Sequence, residues 1–135
     1  MQPETKPARL LRAAALYDIV VTGPLVLAPV VPLVFKAIAG IDAALGFGTT
    51  FAVLDPTAVF FINLAAASVL AWAAIRIKRP DRSALFIDVL YRLVLIACQI
   101  WAVTNGATPV LLGISATLGL ITVLETATFL RRGPT

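Results

Sequence analysis

Four long apolar runs dominate the sequence, and they constrain the fold more than any other feature. They lie at roughly Leu10–Phe35, Thr57–Ile75, Ser83–Thr104 and Pro109–Leu130. The shortest has about 19 residues, which span ~28 Å as a helix and nearly match the ~30 Å hydrocarbon core of a bilayer. Hydrophobic residues make up 60% of the chain and charged residues 13%. We therefore predict an all-α polytopic membrane protein, with residues 1–135 forming one domain built as a four-transmembrane-helix bundle.

Helix-start and turn signals agree with these runs. Asp55-Pro56 and Thr108-Pro109 each place a capping residue before a proline that fits the first helical turn. Asn105-Gly106 is a turn pair, so the third and fourth segments should form a tight hairpin.

The first segment and the loop after it carry helix breakers. Because prolines within a spanning helix remove backbone hydrogen bonds, we predict a kink near Pro24 and a distorted outer half. Apolar residues then recur at helical spacing in the loop Lys36–Leu54, which predicts a short interfacial helix ended by Gly46 and Gly48. The breakers are Gly23, Pro24, Pro29 and Pro32, and the apolar stripe is Val34, Ile38, Ile41 and Leu45.

The basic residues predict an orientation. Those outside the apolar cores collect on one side, where nine lie, whereas the opposite loops carry Lys36. The positive-inside rule then predicts a multi-pass protein of the cell inner (cytoplasmic) membrane with both termini in the cytoplasm. The nine are Lys6, Arg9, Arg12, Arg76, Lys78, Arg79, Arg82, Arg131 and Arg132.

Charged side chains within the spans are costly in lipid, so they should face the bundle interior and be paired or functional. Asp88 and Arg92 stand one helical turn apart in the favourable order for an intrahelical pair. Three acids facing one arginine leave an excess of two negative charges if all are ionised. Either one or more of the acids is protonated at neutral pH, or Arg12 bends toward Asp88 or Glu125. The predicted buried polar cluster, our candidate site, comprises Asp18, Asp88, Arg92, Glu125, Tyr17, Tyr91, Asn63 and Gln99.

Three roles for this cluster stay open at this point: a structural network that fixes helix register, a ligand or substrate site, and a proton or cation path. Small residues favour close helix–helix contact, at Gly113/Thr117 and Ser115/Gly119 and in a seam of Ala67, Ala71 and Ala74. These seams would equally serve packing within the chain. The favoured function is an accessory or assembly subunit that contacts another membrane protein or itself within the bilayer. Trp72 and Trp101 are interpreted as interfacial anchors.

Two alternatives use the cluster directly. One is a membrane-embedded enzyme or binder of a hydrophobic small molecule, with isomerase, cyclase or epoxide-type acid–base chemistry at the buried acids. The other is a proton-coupled carrier that works as an oligomer. The residues permit catalysis without indicating a catalytic group, so whether the chain is an enzyme stays undecided.

Missing residue types narrow the chemistry. The chain has no histidine and one cysteine, Cys98, so Ser-His or Cys-His catalysis and thiolate metal clusters are excluded. No phosphate-binding loop or metal-ligand spacing is present, and we predict no cofactor and no metal. The net charge of +4 is split into short clusters by lipid-spanning runs, which argues against nucleic acid as a partner.

Several short motifs resemble those of small four-helix bacterial inner-membrane proteins of the DoxX-like kind. The resemblance covers most of the chain, although each motif is short. It implies the same size, four-helix topology and inner-membrane location, and it supplies no catalytic residue. The matching residues are Tyr17-Asp18, Thr22, Pro24, Asn63-Leu64, Arg79-Pro80, Asp88 and Arg92.

Overall fold

The computed structural model describes residues 6–130, which form only helices and connecting segments. Two short 3-10 turns, Gly23–Val26 and Ala28–Val30, separate the first two α-helices. The all-helical class predicted from the apolar runs is confirmed. The α-helices are α1 (Lys6–Thr22), α2 (Val31–Ala44), α3 (Pro56–Lys78), α4 (Arg82–Thr104) and α5 (Val110–Leu130).

Side-chain caps fix where the long helices begin. The Asp55 carboxylate accepts a hydrogen bond from the Ala58 amide at 2.8 Å, and the Thr108 hydroxyl accepts one from Val110 at 3.2 Å. Both predicted caps are thereby confirmed. Asp81 caps α4 in the same way through the Ala84 amide at 2.8 Å. Each cap satisfies an amide that has no partner inside its helix.

The predicted kink near Pro24 is confirmed, and the part of the predicted first span beyond it does not continue α1. The axis turns by 92° between Ala8–Val26 and Ala28–Ala44, with Leu27 in an extended conformation at φ −93° and ψ 108°. Proline lacks the amide hydrogen that continues a helix, so three prolines within nine positions make the break. The last part of the predicted span therefore belongs to α2.

A hydrogen bond from α3 supports the broken segment. Pro29 cannot donate to the carbonyl of Leu25, four residues earlier, as a helical residue would. The side chain of Asn63 supplies that donor, with Nδ2 at 2.7 Å from the Leu25 oxygen. The break is thus compensated from a neighbouring helix.

The helix predicted in the following loop is confirmed as α2, although it begins at Val31, earlier than the stripe indicated. Gly46 and Gly48, after its end, have φ of +74° and +64°, where only glycine is comfortable. Asp42 then fastens this region to the α4–α5 hairpin. Its carboxylate accepts hydrogen bonds from the Thr49 amide at 2.9 Å, the Thr49 hydroxyl at 2.6 Å and the Thr108 hydroxyl.

The surface is apolar and the interior is charged, the reverse of a water-soluble protein. Side chains such as Phe86, Leu120 and Val123 are at least 60% exposed, whereas Arg76, Arg92 and Glu125 are at most 1% exposed. Helices α3, α4 and α5 are each long and apolar enough to cross a membrane, and the bent segment that contains α1 is a fourth candidate. These are the features of a membrane protein.

The helices pack in a definite order. Helix α1 lies against both α3 and α5, and α5 lies against α4, so the predicted α4–α5 hairpin is confirmed. By contrast, α3 and α4 do not pack closely along their backbones. Side chains join them near the loop that connects them, and that end of the bundle carries the candidate site.

Candidate functional site

Five charged side chains from four helices form a chain of alternating sign within the described residues. We call this chain the charge network: Asp18, Arg76, Asp88, Arg92 and Glu125. Helix α1 supplies Asp18, α3 supplies Arg76, α4 supplies Asp88 and Arg92, and α5 supplies Glu125. Every element that lines the bundle interior is therefore tied to the others by charge.

Asp88 is the centre of the charge network because it contacts both arginines. Arg76 Nη1 lies 3.0 Å from its carboxylate, and Arg92 Nη2 lies 2.7 Å from it. The second contact is the predicted intrahelical pair, which is confirmed. At the two ends, Arg76 Nη2 donates to Asp18 Oδ2, and Arg92 Nη1 donates to Glu125 Oε2 at 3.0 Å. Arg92 Nη2 also lies 3.9 Å from Asp18 Oδ2.

Arg76 corrects the sequence interpretation. Its position in the sequence predicts a basic residue of the loop. In the structure Arg76 lies inside α3, fully buried, with ion pairs to Asp18 and Asp88. The three acids thus face two arginines, and the excess is one negative charge instead of two. Arg12, the other arginine considered as a partner, donates from Nε to the Ile77 carbonyl at 3.0 Å.

The interpretation of Trp72 as an interfacial anchor is also wrong. Its indole Nε1 donates to Asp88 Oδ1 at 2.9 Å, so Trp72 belongs to the surroundings of the charge network. Trp101 is 68% exposed on α4, as expected for a side chain that faces lipid. A tryptophan near a helix end looks the same in sequence whether it faces headgroups or a buried acid.

Some buried atoms of the charge network have no hydrogen-bond partner among residues 6–130. They are Nε of Arg76, Nε and Nη2 of Arg92, and Oε1 of Glu125, although Arg92 Nη2 is within ion-pair distance of Asp88. Buried polar groups normally have hydrogen-bond partners, so leaving these atoms without one costs free energy. The charge network is held together by its ion pairs more than by complete hydrogen bonding.

A cavity of about 300 Å³ lies beside the charge network, lined mainly by α1 and α4, with Val69 of α3 and two residues of α5. Polar side chains of α1 and α4, among them Asp18, form one wall of the cavity. Its remaining wall is aliphatic. The polar residues are Tyr17, Asp18, Thr22, Tyr91, Arg92 and Gln99, and the apolar ones are Val21, Leu25, Val69, Leu95, Ile114 and Leu118.

The other predicted site residues divide between this cavity and separate contacts. Tyr17 and Tyr91 line the cavity, and so does Gln99, whose Oε1 accepts a hydrogen bond from the buried Ser115 at 2.6 Å. Asn63 does not contact the charge network, because it holds the Leu25 carbonyl instead. The predicted cluster is therefore one charge network with an adjoining cavity, and Asn63 belongs to the break in the first span.

The small-residue seams predicted from the sequence differ in whether they face the bundle interior. Ala67, Ala71 and Ala74 are exposed, whereas Ala66 and Ala73, on the other side of α3, are buried. Gly113 is exposed and Ser115 faces the interior. The alanine seam therefore does not serve packing within this bundle.

No group of three or more His, Cys, Asp or Glu side chains within residues 6–130 is arranged to hold a metal ion. Comparison with protein-family models, with curated proteins and with solved structures gave no match to this chain. The DoxX-like resemblance stays a prediction that these comparisons do not test. Function must therefore be argued from the charge network and its cavity.

Proposed function

We propose that this membrane protein binds a small hydrophobic or amphiphilic molecule in the cavity lined mainly by α1 and α4. The observation that carries the proposal is the shape of the site: a cavity of about 300 Å³ with one aliphatic wall and one polar wall. Small-molecule sites commonly have volumes of ~300–1,000 Å³ and a few polar groups set in an apolar lining. A purely structural ion network has no need of a cavity beside it.

The gap between α3 and α4 gives such a molecule a route of entry. These helices are joined by Trp72 and Arg76 reaching Asp88, and their backbones are otherwise apart. A ligand dissolved in lipid could pass between them without breaking a close helix–helix contact. Binding from the bilayer suits a protein whose outer surface is almost wholly apolar.

The proposed setting is the inner membrane, with four spans and both termini in the cytoplasm. With Arg76 assigned to the charge network, eight of the nine basic residues counted on this side remain, of which Arg131 and Arg132 lie outside the described residues. The opposite side still has Lys36, so the positive-inside argument survives the correction. In this orientation the charge network lies nearer the cytoplasmic end, and the cavity extends from it to the middle of the bundle, at Val69 and Leu95.

Native mass spectrometry of the protein released gently from its own membrane tests the proposal. The wild type is expected to carry a bound small molecule. Val69→Phe places a larger side chain in the cavity and should displace that molecule. Val94→Phe is the matched control, because Val94 is 54% exposed on α4 and makes the same change toward lipid. Equal small-molecule content in the two variants would contradict a ligand site in this cavity.

The outward alanine seam favours a second candidate function, an accessory subunit that packs against another membrane helix. Ala67, Ala71 and Ala74 are exposed at spacings that place them on one face, where another helix could approach closely. Ala71→Leu is then expected to abolish a stoichiometric complex seen by native mass spectrometry. Ala65→Leu, on the opposite face of α3, should leave it intact; loss in both variants or in neither contradicts this role.

A further inference from the structure

The formal charge of the charge network is unbalanced. Counted as ionised, Asp18, Asp88 and Glu125 carry three negative charges, and Arg76 and Arg92 carry two positive ones. One negative charge is left over in a region shielded from water. Because an uncompensated buried charge is costly, a positively charged group that entered the site would be stabilised there and an anion would be repelled.

Asp18 is the acid at which a ligand can meet this excess charge. Its side chain is 14% exposed and lines the cavity, whereas the other four side chains of the charge network are at most 2% exposed. Both of its ion pairs use Oδ2. Its Oδ1 accepts no hydrogen bond from the part of the chain that the structure describes. A carboxylate oxygen is therefore uncommitted at the cavity wall.

Arg92 also lines the cavity, but its charge is already compensated. Its Nη1 lies 3.0 Å from Glu125 and its Nη2 lies 2.7 Å from Asp88, so each terminal nitrogen faces a carboxylate. The electrostatic preference of the cavity is consequently set by Asp18 and not by Arg92.

Two aromatic rings line the same cavity as the Asp18 carboxylate. Tyr17 and Tyr91 both line the cavity, and within residues 6–130 neither hydroxyl makes a hydrogen bond. The face of a tyrosine ring attracts a cation, most strongly where water is excluded. Val69, Leu95 and Leu118 complete the wall with aliphatic surface.

We propose that the cavity selects an organic cation: a substituted ammonium group against Asp18, Tyr17 and Tyr91, with an attached hydrocarbon part against the aliphatic wall. The aliphatic wall favours such a molecule over a hydrated metal ion, which needs oxygen ligands that this wall lacks. This inference rests on the proposed function, because it names the chemical class of the ligand for the same cavity.

The test measures charge selectivity with three probes of similar size. Isothermal titration calorimetry would measure probe binding to the protein in nanodiscs of zwitterionic lipid, with empty nanodiscs as the blank. The probes are benzyltriethylammonium, the neutral N,N-diethylbenzamide and the anion benzenesulfonate. The wild type should bind the ammonium probe saturably, one per chain, about tenfold or more tighter than the neutral amide. Benzenesulfonate should not bind saturably.

Two variants assign the selectivity to residues. Asp18→Asn should remove the preference for the cation, whereas Asp81→Asn, which loses the same charge outside the cavity and still caps α4, should keep it. Tyr91→Leu leaves the charge network intact, so it serves if Asp18→Asn does not fold. It should weaken the ammonium probe several-fold and leave the neutral amide unchanged.

The outcomes separate this inference from the function on which it rests. If the neutral amide binds as tightly as the cation, or benzenesulfonate binds best, selection of a cation is refuted while a ligand site stands, provided that Val69→Phe abolishes binding. If no probe binds saturably and Val69→Phe leaves the co-purified small molecules unchanged, both are refuted. Cation binding that survives Asp18→Asn and Tyr91→Leu in folded protein also refutes the inference.

Discussion

Arg76→Met offers the sharpest test of the charge network. Methionine keeps much of the length and apolar volume of the arginine stem but removes the guanidinium group. Asp18 then loses its close partner, and Asp88 keeps only its ion pair with Arg92. The formal charge of the charge network falls from −1 to −2 in a place where water cannot screen it. We expect a large loss of folded-state stability.

The magnitude follows from the two contacts. Two unit charges about 4 Å apart attract by about 4 kcal/mol at an effective dielectric constant of about 20. Arg76 makes two such contacts, and the cost of burying the guanidinium group offsets part of the sum. Breaking a buried ion pair from one side typically costs about 3–5 kcal/mol, because the partner is left unpaired. We take that range as the expected change in unfolding free energy.

Equilibrium unfolding by SDS titration in mixed micelles, followed by circular dichroism, measures this change. Arg79→Met is the matched control, because Arg79 is exposed at the end of the same helix. The control should stay within about 0.5 kcal/mol of wild type, as surface substitutions usually do. The double variant Arg76→Met/Asp88→Asn restores the formal charge of −1 and should recover part of the loss. If Arg76→Met is no worse than Arg79→Met, the charge network does not hold the bundle together.

Two further substitutions separate charge balance from hydrogen bonding. Glu125→Gln removes the excess negative charge and keeps an acceptor for Arg92, so stability should stay within about 1 kcal/mol of wild type; a loss above about 3 kcal/mol in the same titration would contradict the charge count. Asn63→Leu leaves the Leu25 carbonyl without its donor and should cost about 1–3 kcal/mol. Ser68→Ala, which removes only a bond to its own helix, is its control, and equal effects would argue against support of the break.

The sequence predicts the acids of the site well and its second arginine poorly. Asp18, Asp88 and Glu125 stand inside apolar runs, where a carboxylate has few explanations other than an internal partner. Arg76 lies two residues before the end of α3 and next to truly exposed basic residues, so its position matches that of a flanking arginine. The depth of a side chain near a helix end depends on helix rotation, which hydropathy does not specify.

The break in the first span shows the same limit. Pro24 and Pro29 predict that backbone hydrogen bonds are lost, and the structure confirms a sharp turn there. Which residue replaces the missing donor depends on a contact between positions 38 apart, Asn63 and Leu25. Asn63 could be predicted as an interior polar residue, but its partner could not, since backbone carbonyls carry no sequence signal.

The separation of Asp18 and Arg76 along the chain has a consequence for biogenesis. The two residues are 58 positions apart. At ~5–20 residues per second, a ribosome needs roughly 3–12 s to cover that distance. Throughout this interval the nascent chain carries a carboxylate on its first helix and has not yet made the guanidinium that neutralises it. We therefore expect release of α1 into lipid to become more favourable once α3 is synthesised and Arg76 can pair with Asp18.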